Sequence, residues 1–496
     1  MNNVSPRAAG ALLLWLGLAA CAAGDAGAAW PPPWSGRDDL AQQGAIDFSP
    51  PVFSAPRADH CRRAPTLRET HADAVRHRSR RWEGDALASG PVARDRAAPP
   101  PAEAAAVELP RSSIASKAAG LAERRSDRAQ PDPGDSVAPS QRPFAPRPSG
   151  ALVQAGMVDD NADFGAYLAY RARHAGLPVR ERDIAERYLL QVSDAHGRPV
   201  HDAEVAVQRA GVAEPLTLAR TDTSGKVWLH PRAFVAPGDE PGPFGIAVRK
   251  GTQQARATLR RGQANAVQVR LDAPATGQRA RLDLVFMIDA TGSMADEIAK
   301  LEASMRQIAA QIAELPSRPE LCYALVAYRD RGDAFLTRSF DFTDDLGAFQ
   351  AELARLQAAG GGDYPEALNE ALHEVVHGLA WRRDAARMVV LVADAPPHLD
   401  YGGPQYDRDM QAALAKGIKV FAVGASGLDP VGEYVFRQIA QYTAGRFVFL
   451  TYKDAANPGR GAGTQTSHDV SNYSVDTLDR LVVRLVSEEM ARLGRG

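Results

Sequence analysis

The feature that most constrains the fold is an apolar run at 284–288 that ends on Asp289-Ala290-Thr291-Gly292-Ser293 and leads into an amphipathic segment at 297–315. Consecutive bulky apolar residues predict a strand buried on both faces. Gly292 permits a tight turn, and apolar residues near helical spacing predict the helix that follows. Asp289, Thr291 and Ser293 therefore fall on a loop at the carboxyl end of a central strand, the edge of an open parallel sheet where ligands bind. The competing interpretation is a strand-end turn whose Asp or Ser merely caps the helix.

The rest of the C-terminal half repeats this alternation. Apolar strands are predicted at 284–288, 321–328, 388–393, 420–423 and 447–450, with helices at 298–313, 346–356, 366–379, 410–416 and 435–442 and an extra edge strand at 335–342. Strands alternating with helices predict an α/β fold with a doubly wound, mainly parallel sheet covered on both faces. A second buried strand ends on Asp394-Ala395-Pro396-Pro397-His398, and between the two lies Gly360-Gly361-Gly362-Asp363-Tyr364-Pro365-Glu366. Three loops can thus converge on one cation. Carboxylate and hydroxyl oxygens with no Cys or His interleaved suit Mg²⁺ or Mn²⁺ (or Ca²⁺) rather than zinc. Asp363 has a second reading, as the cap of a helix that begins near Pro365.

Asp-x-Thr-x-Ser at Asp289, the Gly-Gly-Gly-Asp-x-Pro-Glu loop, Asp394, and Ala327-Tyr328-Arg329-Asp330 together resemble a bacterial von Willebrand factor type A domain over 281–496. The resemblance implies a Rossmann-like fold and a metal-ion-dependent adhesion site held by Asp289, Thr291, Ser293 and Asp394. Many such domains present a threonine on the middle loop, where Asp363 stands here. A third carboxylate makes the site more negative, so a bound ion would pull less on a partner's carboxylate. That weakens the transfer of the adhesion mechanism, in which an acidic side chain of another protein completes the ion's shell.

The N-terminus predicts export. Arg7 precedes an apolar stretch at 8–20 that is too short to span a membrane. Leu18-Ala19-Ala20-Cys21 resembles the bacterial lipobox, which implies removal of 1–21 and acylation of Cys21; an ordinary secretory cut near Ala23 is the alternative. Ala22 in place of Asp implies, by the same resemblance, the outer membrane where the host is Gram-negative. Residues 22–150, rich in Ala, Pro and Arg and poor in bulky apolar side chains, predict a disordered tether. Cys61 beside His60 is either a metal or pairing site or a stray residue. Residues 151–185 predict a short helical segment, whose Asp159, Asp160 and Asp163 bind Ca²⁺ or serve the helix N-terminus. Over 186–275, short strands separated by turns such as Asp194-Ala195-His196-Gly197 resemble a small prealbumin-like or carboxypeptidase-regulatory-like β-sandwich.

Three cysteines exclude a disulfide framework, and Cys322 in its apolar strand reads as a buried thiol. A net charge of −2 gives no reason to expect nucleic-acid binding. The expectation is an exported, membrane-anchored module that binds another protein through a metal. A scaffold with a purely stabilising metal is the alternative. A hydrolase using Ser293 or His398 is disfavoured, because the chain shows neither a nucleophile elbow nor a His-Glu-x-x-His helix. His398 either approaches the ion or lines its loop, and Arg331-Gly332-Asp333 is a chance match to an integrin-recognition triplet.

Overall fold

The computed structural model describes residues 58–71 and 153–493, apart from 210, 211, 213, 234, 236–242, 263–265, 273–278 and 472. The signal segment, Cys21 and most of the predicted tether lie outside the described residues. Among the described residues no helix is long and apolar enough to cross a membrane.

In chain order the strands are β1 (Leu67–Thr70), β2 (Gln154–Val158), β3 (Tyr188–Ser193), β4 (Glu204–Arg209), β5 (Thr217–Arg220), β6 (Lys226–Leu229), β7 (Phe244–Lys250), β8 (Gln253–Leu259), β9 (Val267–Arg270), β10 (Arg281–Asp289), β11 (Glu320–Tyr328), β12 (Thr337–Thr343), β13 (Ala385–Ala393), β14 (Ile418–Gly424), β15 (Phe447–Leu450) and β16 (Ser474–Thr477). The helices are α1 (Phe164–Arg173), α2 (Ala295–Ala313), α3 (Leu346–Leu353), α4 (Leu368–His373), α5 (Tyr406–Ala415), α6 (Pro430–Tyr442) and α7 (Leu478–Leu493).

A large sheet runs in the order β1-β12-β11-β10-β13-β14-β15-β2-β16. Its centre, β11-β10-β13-β14-β15, is parallel. Successive side chains of β10 point to opposite faces, as the strand period requires. Leu284, Phe286 and Ile288 join a core with Ile308 of α2 and Leu485 of α7. Val285 and Met287 join the opposite core with Leu372 of α4 and Phe436 of α6. Burial on both faces explains why β10 carries a continuous apolar run instead of an alternating one.

The sheet is mixed rather than mainly parallel, because both flanks are antiparallel. The link 329–336 between β11 and β12 is too short for the crossover that a parallel neighbour needs. β12 would then be left as an open edge, a liability in any sheet. β1 covers it, so residues 58–71, expected in the tether, belong to the folded unit instead. Arg68 on β1 lies 2.7 Å from Glu374 and 3.3 Å from Asp341. A disulfide joins Cys61 to Cys322 of β11, with Cα atoms 6.1 Å apart. Neither cysteine is thus a stray residue or a free thiol.

On the other flank, β2 supplies a strand within the segment expected to be only helical. It is followed by α1, whose N-cap Asp163 accepts a hydrogen bond from the Ala166 amide. Asp160 and Asp159, the rest of that acidic cluster, pair with Arg437 at 2.6 Å and Arg446 at 2.9 Å. Two smaller sheets, β6-β3-β9 and β5-β4-β7-β8, lie between β2 and β10 in sequence. Leu190 and Val192 from one and Val205, Val207 and Ile246 from the other share one apolar cluster, which also takes in Met410 of α5 and Tyr434 of α6. Their turns follow the sequence: Asp222 Oδ1 accepts from Ser224 and Lys226 amides. At Gly225, with φ +70°, a Cβ would lie 2.4 Å from the Val192 carbonyl, so only glycine fits.

Candidate metal-binding edge

β10 and β13 are adjacent and parallel, so Asp289 and Asp394, at or just past their carboxyl ends, emerge side by side. Asp289 is fully buried. Its Oδ1 accepts hydrogen bonds from the Thr291 amide at 2.9 Å and the Thr291 hydroxyl at 2.6 Å. This alternate-residue turn orients the carboxylate and leaves Oδ2 to other partners. The Thr291 and Ser293 hydroxyl oxygens are 3.2 Å apart, and Ser293 lies close enough to Asp394 to favour its carboxylate form. A 3-10 turn, Gly292–Met294, then feeds α2.

The glycine loop is fastened across this turn. The Gly292 amide donates to the Gly360 carbonyl at 3.0 Å, and the Ala359 amide to the Ala290 carbonyl at 3.0 Å. Gly361 has φ +75°, and a Cβ there would lie 2.8 Å from Glu366 Oε1 and 3.1 Å from Thr291 Cβ. The backbone can approach the site this closely only because it lacks a side chain. Asp333 secures the loop from the other side, its Oδ2 accepting from the Gly361 amide at 2.9 Å and the Asp330 amide at 3.1 Å.

Three carboxylate oxygens at this edge, Asp289 Oδ2, Asp394 Oδ1 and Glu366 Oε2, are buried and find no hydrogen-bond partner among the described residues. Burial pushes the Asp289 carboxyl up to about 7 despite the bonds from Thr291, with the Asp394 and Asp330 charges adding to the rise. Burial together with Asp289, Asp330, Asp333 and Asp394 pushes Glu366 up to about 9. Asp394 is also raised, by burial first and by Glu297 among its neighbours. Gathered carboxylates with low solvent access favour a cation that neutralises them. The donor set is all oxygen, which fits a hard divalent ion.

Of the residues that the sequence singled out, Asp289, Thr291, Ser293 and Asp394 meet here. Asp363 is placed differently. It is exposed and sits beside Asp330 and His398, with one potential ligand atom from each of the three within 4.8 Å of the others. Glu366, three residues further on, is the middle-loop carboxylate buried close enough to Asp289 for that charge to raise it. Sequence reasoning passed over it because it reads as the opening residue of a helix, although it belongs to the Gly-Gly-Gly-Asp-x-Pro-Glu string. His398 Nε2 is 2.9 Å from Asp330 Oδ1, which turns it toward Asp330 rather than toward Ser293. Within the loop, Tyr364 is 43% exposed while its hydroxyl donates to the Gly427 carbonyl at 2.9 Å and accepts from the Asp429 amide at 2.8 Å.

Residues 283–399, which run from β10 past Asp394, match the family model described as von Willebrand factor A domain. Among curated proteins, a putative ariadne-like RING finger protein of Acanthamoeba polyphaga mimivirus is 32% identical over 24% of this chain and 12% of its own length. The alpha-protein kinase vwkA of Dictyostelium discoideum is 27% identical over 24% of this chain and 19% of its own. Human hemicentin-1 is 36% identical over 17% of this chain and 1% of its own. The chain thus spans less than a fifth of each of these relatives. Among solved structures, the conserved hypothetical protein BatB from Bacteroides thetaiotaomicron aligns over 43% of this chain and all of its own, at 15% identity and a TM-score of 0.30. A von Willebrand factor type A protein from Catenulispora acidiphila aligns over 59% and 51%, at 14% identity and a TM-score of 0.29. A von Willebrand factor A domain is therefore found in this chain, at residues 283–399.

Proposed function

We propose that this chain is an exported, lipid-anchored protein-binding module whose A domain engages its partner through a divalent cation of the magnesium class. The observation that carries the reading is the set of three buried oxygens, on Asp289, Asp394 and Glu366, without hydrogen-bond partners among the described residues, beside the Thr291 and Ser293 hydroxyls. Buried polar atoms without partners are costly, and an ion shared among them removes that cost. Asp289, Thr291, Ser293, Asp394 and Glu366 would hold it directly or through water. When bound, the cation supplies an open coordination position for an acidic side chain of the partner. The exposed, hydroxyl-anchored ring of Tyr364 offers a rigid aromatic contact at the rim, of the kind that dominates binding energy in protein interfaces.

Export is supported by the lipobox-like Leu18-Ala19-Ala20-Cys21 and by the Cys61–Cys322 disulfide, since such bonds persist in oxidising compartments. Nucleic acid has no place in this reading. Calorimetry of the full chain with Mg²⁺ should show one oxygen-ligand site that Asp289→Ala removes. Envelope proteins captured by the Mg²⁺-loaded chain should be lost with Asp289→Ala; equal capture by both would overturn the adhesive role and leave a stabilising site. Mass spectrometry of the mature N-terminus should find acylated Cys21, and an unmodified N-terminus beyond it would overturn the anchor.

A further inference from the structure

Away from the carboxyl edge, α4 and α5 bring together a second set of ligand-type side chains. His373 ends α4, and His377 lies in the π-turn Glu374–Gly378 that continues it. Asp409 projects from α5 and is almost fully buried. His373 Nδ1 is 3.1 Å and His377 Nε2 is 2.9 Å from the same oxygen, Asp409 Oδ1. The two rings lie with centroids 4.4 Å apart and 31° between planes. One ligand atom from each residue falls within 4.8 Å of the other two.

The geometry points to a zinc site formed by His373, His377 and Asp409, which staples α4 to α5 and leaves its fourth position to solvent. Two imidazole nitrogens and one carboxylate oxygen suit zinc and its borderline neighbours, in contrast to the all-oxygen edge around Asp289. Ligand bonds of about 2.0–2.2 Å in a tetrahedron place ligand atoms about 3.3 Å apart. The separations to Asp409 Oδ1 are already within a few tenths of an ångström of that. The π-turn contributes to the arrangement: such turns re-aim side chains within a helix and recur at functional sites. Here it continues α4 so that both rings turn a nitrogen to one carboxylate oxygen. The histidine side chains remain 43% and 36% exposed, so an ion has a route in and room for a water. A hydrogen-bonded His-Asp-His cluster without metal is the competing account, and it predicts no response to zinc.

The test uses the full chain with Mg²⁺ in excess, so that the Asp289 edge is saturated, and titrates Zn²⁺ by calorimetry. His373→Gln/His377→Gln is the comparison. Both histidines are part exposed, so the double variant is expected to fold, and its unliganded melting temperature checks that. One zinc equivalent present in the wild type should disappear or weaken at least tenfold in the double variant. A zinc-dependent rise in melting temperature should disappear with it. Zinc taken up by the Asp330–Asp363–His398 group is common to both proteins and cancels. Equal zinc stoichiometry and affinity in the two proteins would overturn the assignment.

Discussion

Arg387 Nη1 lies 2.8 Å from Asp202 Oδ1, with both side chains nearly excluded from water, so β13 of the large sheet is ion-paired to the start of the smaller sheets. Asp202 also accepts from Arg220 at 3.1 Å and from the Asp384 amide at 3.1 Å. Arg387 spends its other donors on the Arg382 and Lys416 carbonyls.

Burial alone would raise the Asp202 carboxyl, but Arg387 and Arg220 outweigh it and hold the group far below the usual carboxylate range. A depressed folded-state value means a stabilisation fully present above the unfolded value of about 4 and lost as pH falls below it. Asp202→Asn keeps the shape and the tolerance for positive φ, 54° here, but takes the paired carboxylate from buried Arg387, while Arg220 keeps Glu204 at 2.9 Å. The variant should lose about 3–5 kcal/mol at neutral pH, the usual cost of breaking a buried pair. The gap to wild type should narrow below about pH 4. Urea midpoints at pH 7 and pH 3 check both; a gap that stays constant with pH would show that the charge is not what matters.

The Cys61–Cys322 bond closes a span of 261 residues, and a disulfide of that kind contributes typically about 2–4 kcal/mol. Reduction should lower the denaturation midpoint and expose the β1 edge to proteases first. Cys61→Ser/Cys322→Ser should behave like the reduced wild type and ignore reductant. Unchanged stability after thiol counting proves full reduction would remove the clamp from the account.

The centre of the large sheet was legible because strands buried on both faces must be continuously apolar, and 284–288 and 388–393 lie within β10 and β13. The flanks were not. β1, Leu-Arg-Glu-Thr, is half exposed and held by Arg68 and backbone pairing, which leaves no apolar signature. β2 is short and carries Gly156. The disulfide joins residues too distant in sequence for spacing to suggest it. At the site, the strand-end residues Asp289 and Asp394 could be read because position alone places them. The middle loop could not be resolved, since Asp363 and Glu366 differ only in which way a glycine-rich turn points them.

Gly361 provides a test of that turn. Alanine there must adopt φ +75°, which costs roughly 1–2 kcal/mol, and its Cβ would press on Glu366 and Thr291. At Gly362 an added Cβ would meet nothing within 4 Å, and the backbone has no positive φ. Gly361→Ala should therefore weaken Mg²⁺ binding while Gly362→Ala leaves it near wild type. Equal effects of the two would mean that loop flexibility, rather than the close approach, governs the site.

Glu366 and Asp363 compete for the third carboxylate of the proposed metal site, and charge-neutral substitutions separate them. Glu366 is buried, its Oε2 has no hydrogen-bond partner among the described residues, and its neighbours include Asp289 and Asp394. Asp363 is exposed and grouped with Asp330 and His398. A buried charge facing an ion is screened little by solvent, whereas an exposed one is screened strongly. Glu366→Gln should therefore reduce Mg²⁺ affinity by about tenfold, equivalent to about 1.4 kcal/mol, and Asp363→Asn by less than about twofold. Melting temperatures in chelator should stay close to wild type for both, because each substitution nearly preserves shape and, without an ion, burial already pushes the Glu366 carboxyl up to about 9, so it is neutral at pH 7. Calorimetric titration of Mg²⁺ into the three proteins measures the difference. If Asp363→Asn weakens binding and Glu366→Gln does not, the ligand role passes to Asp363, and the glycine loop must then rearrange when the ion binds.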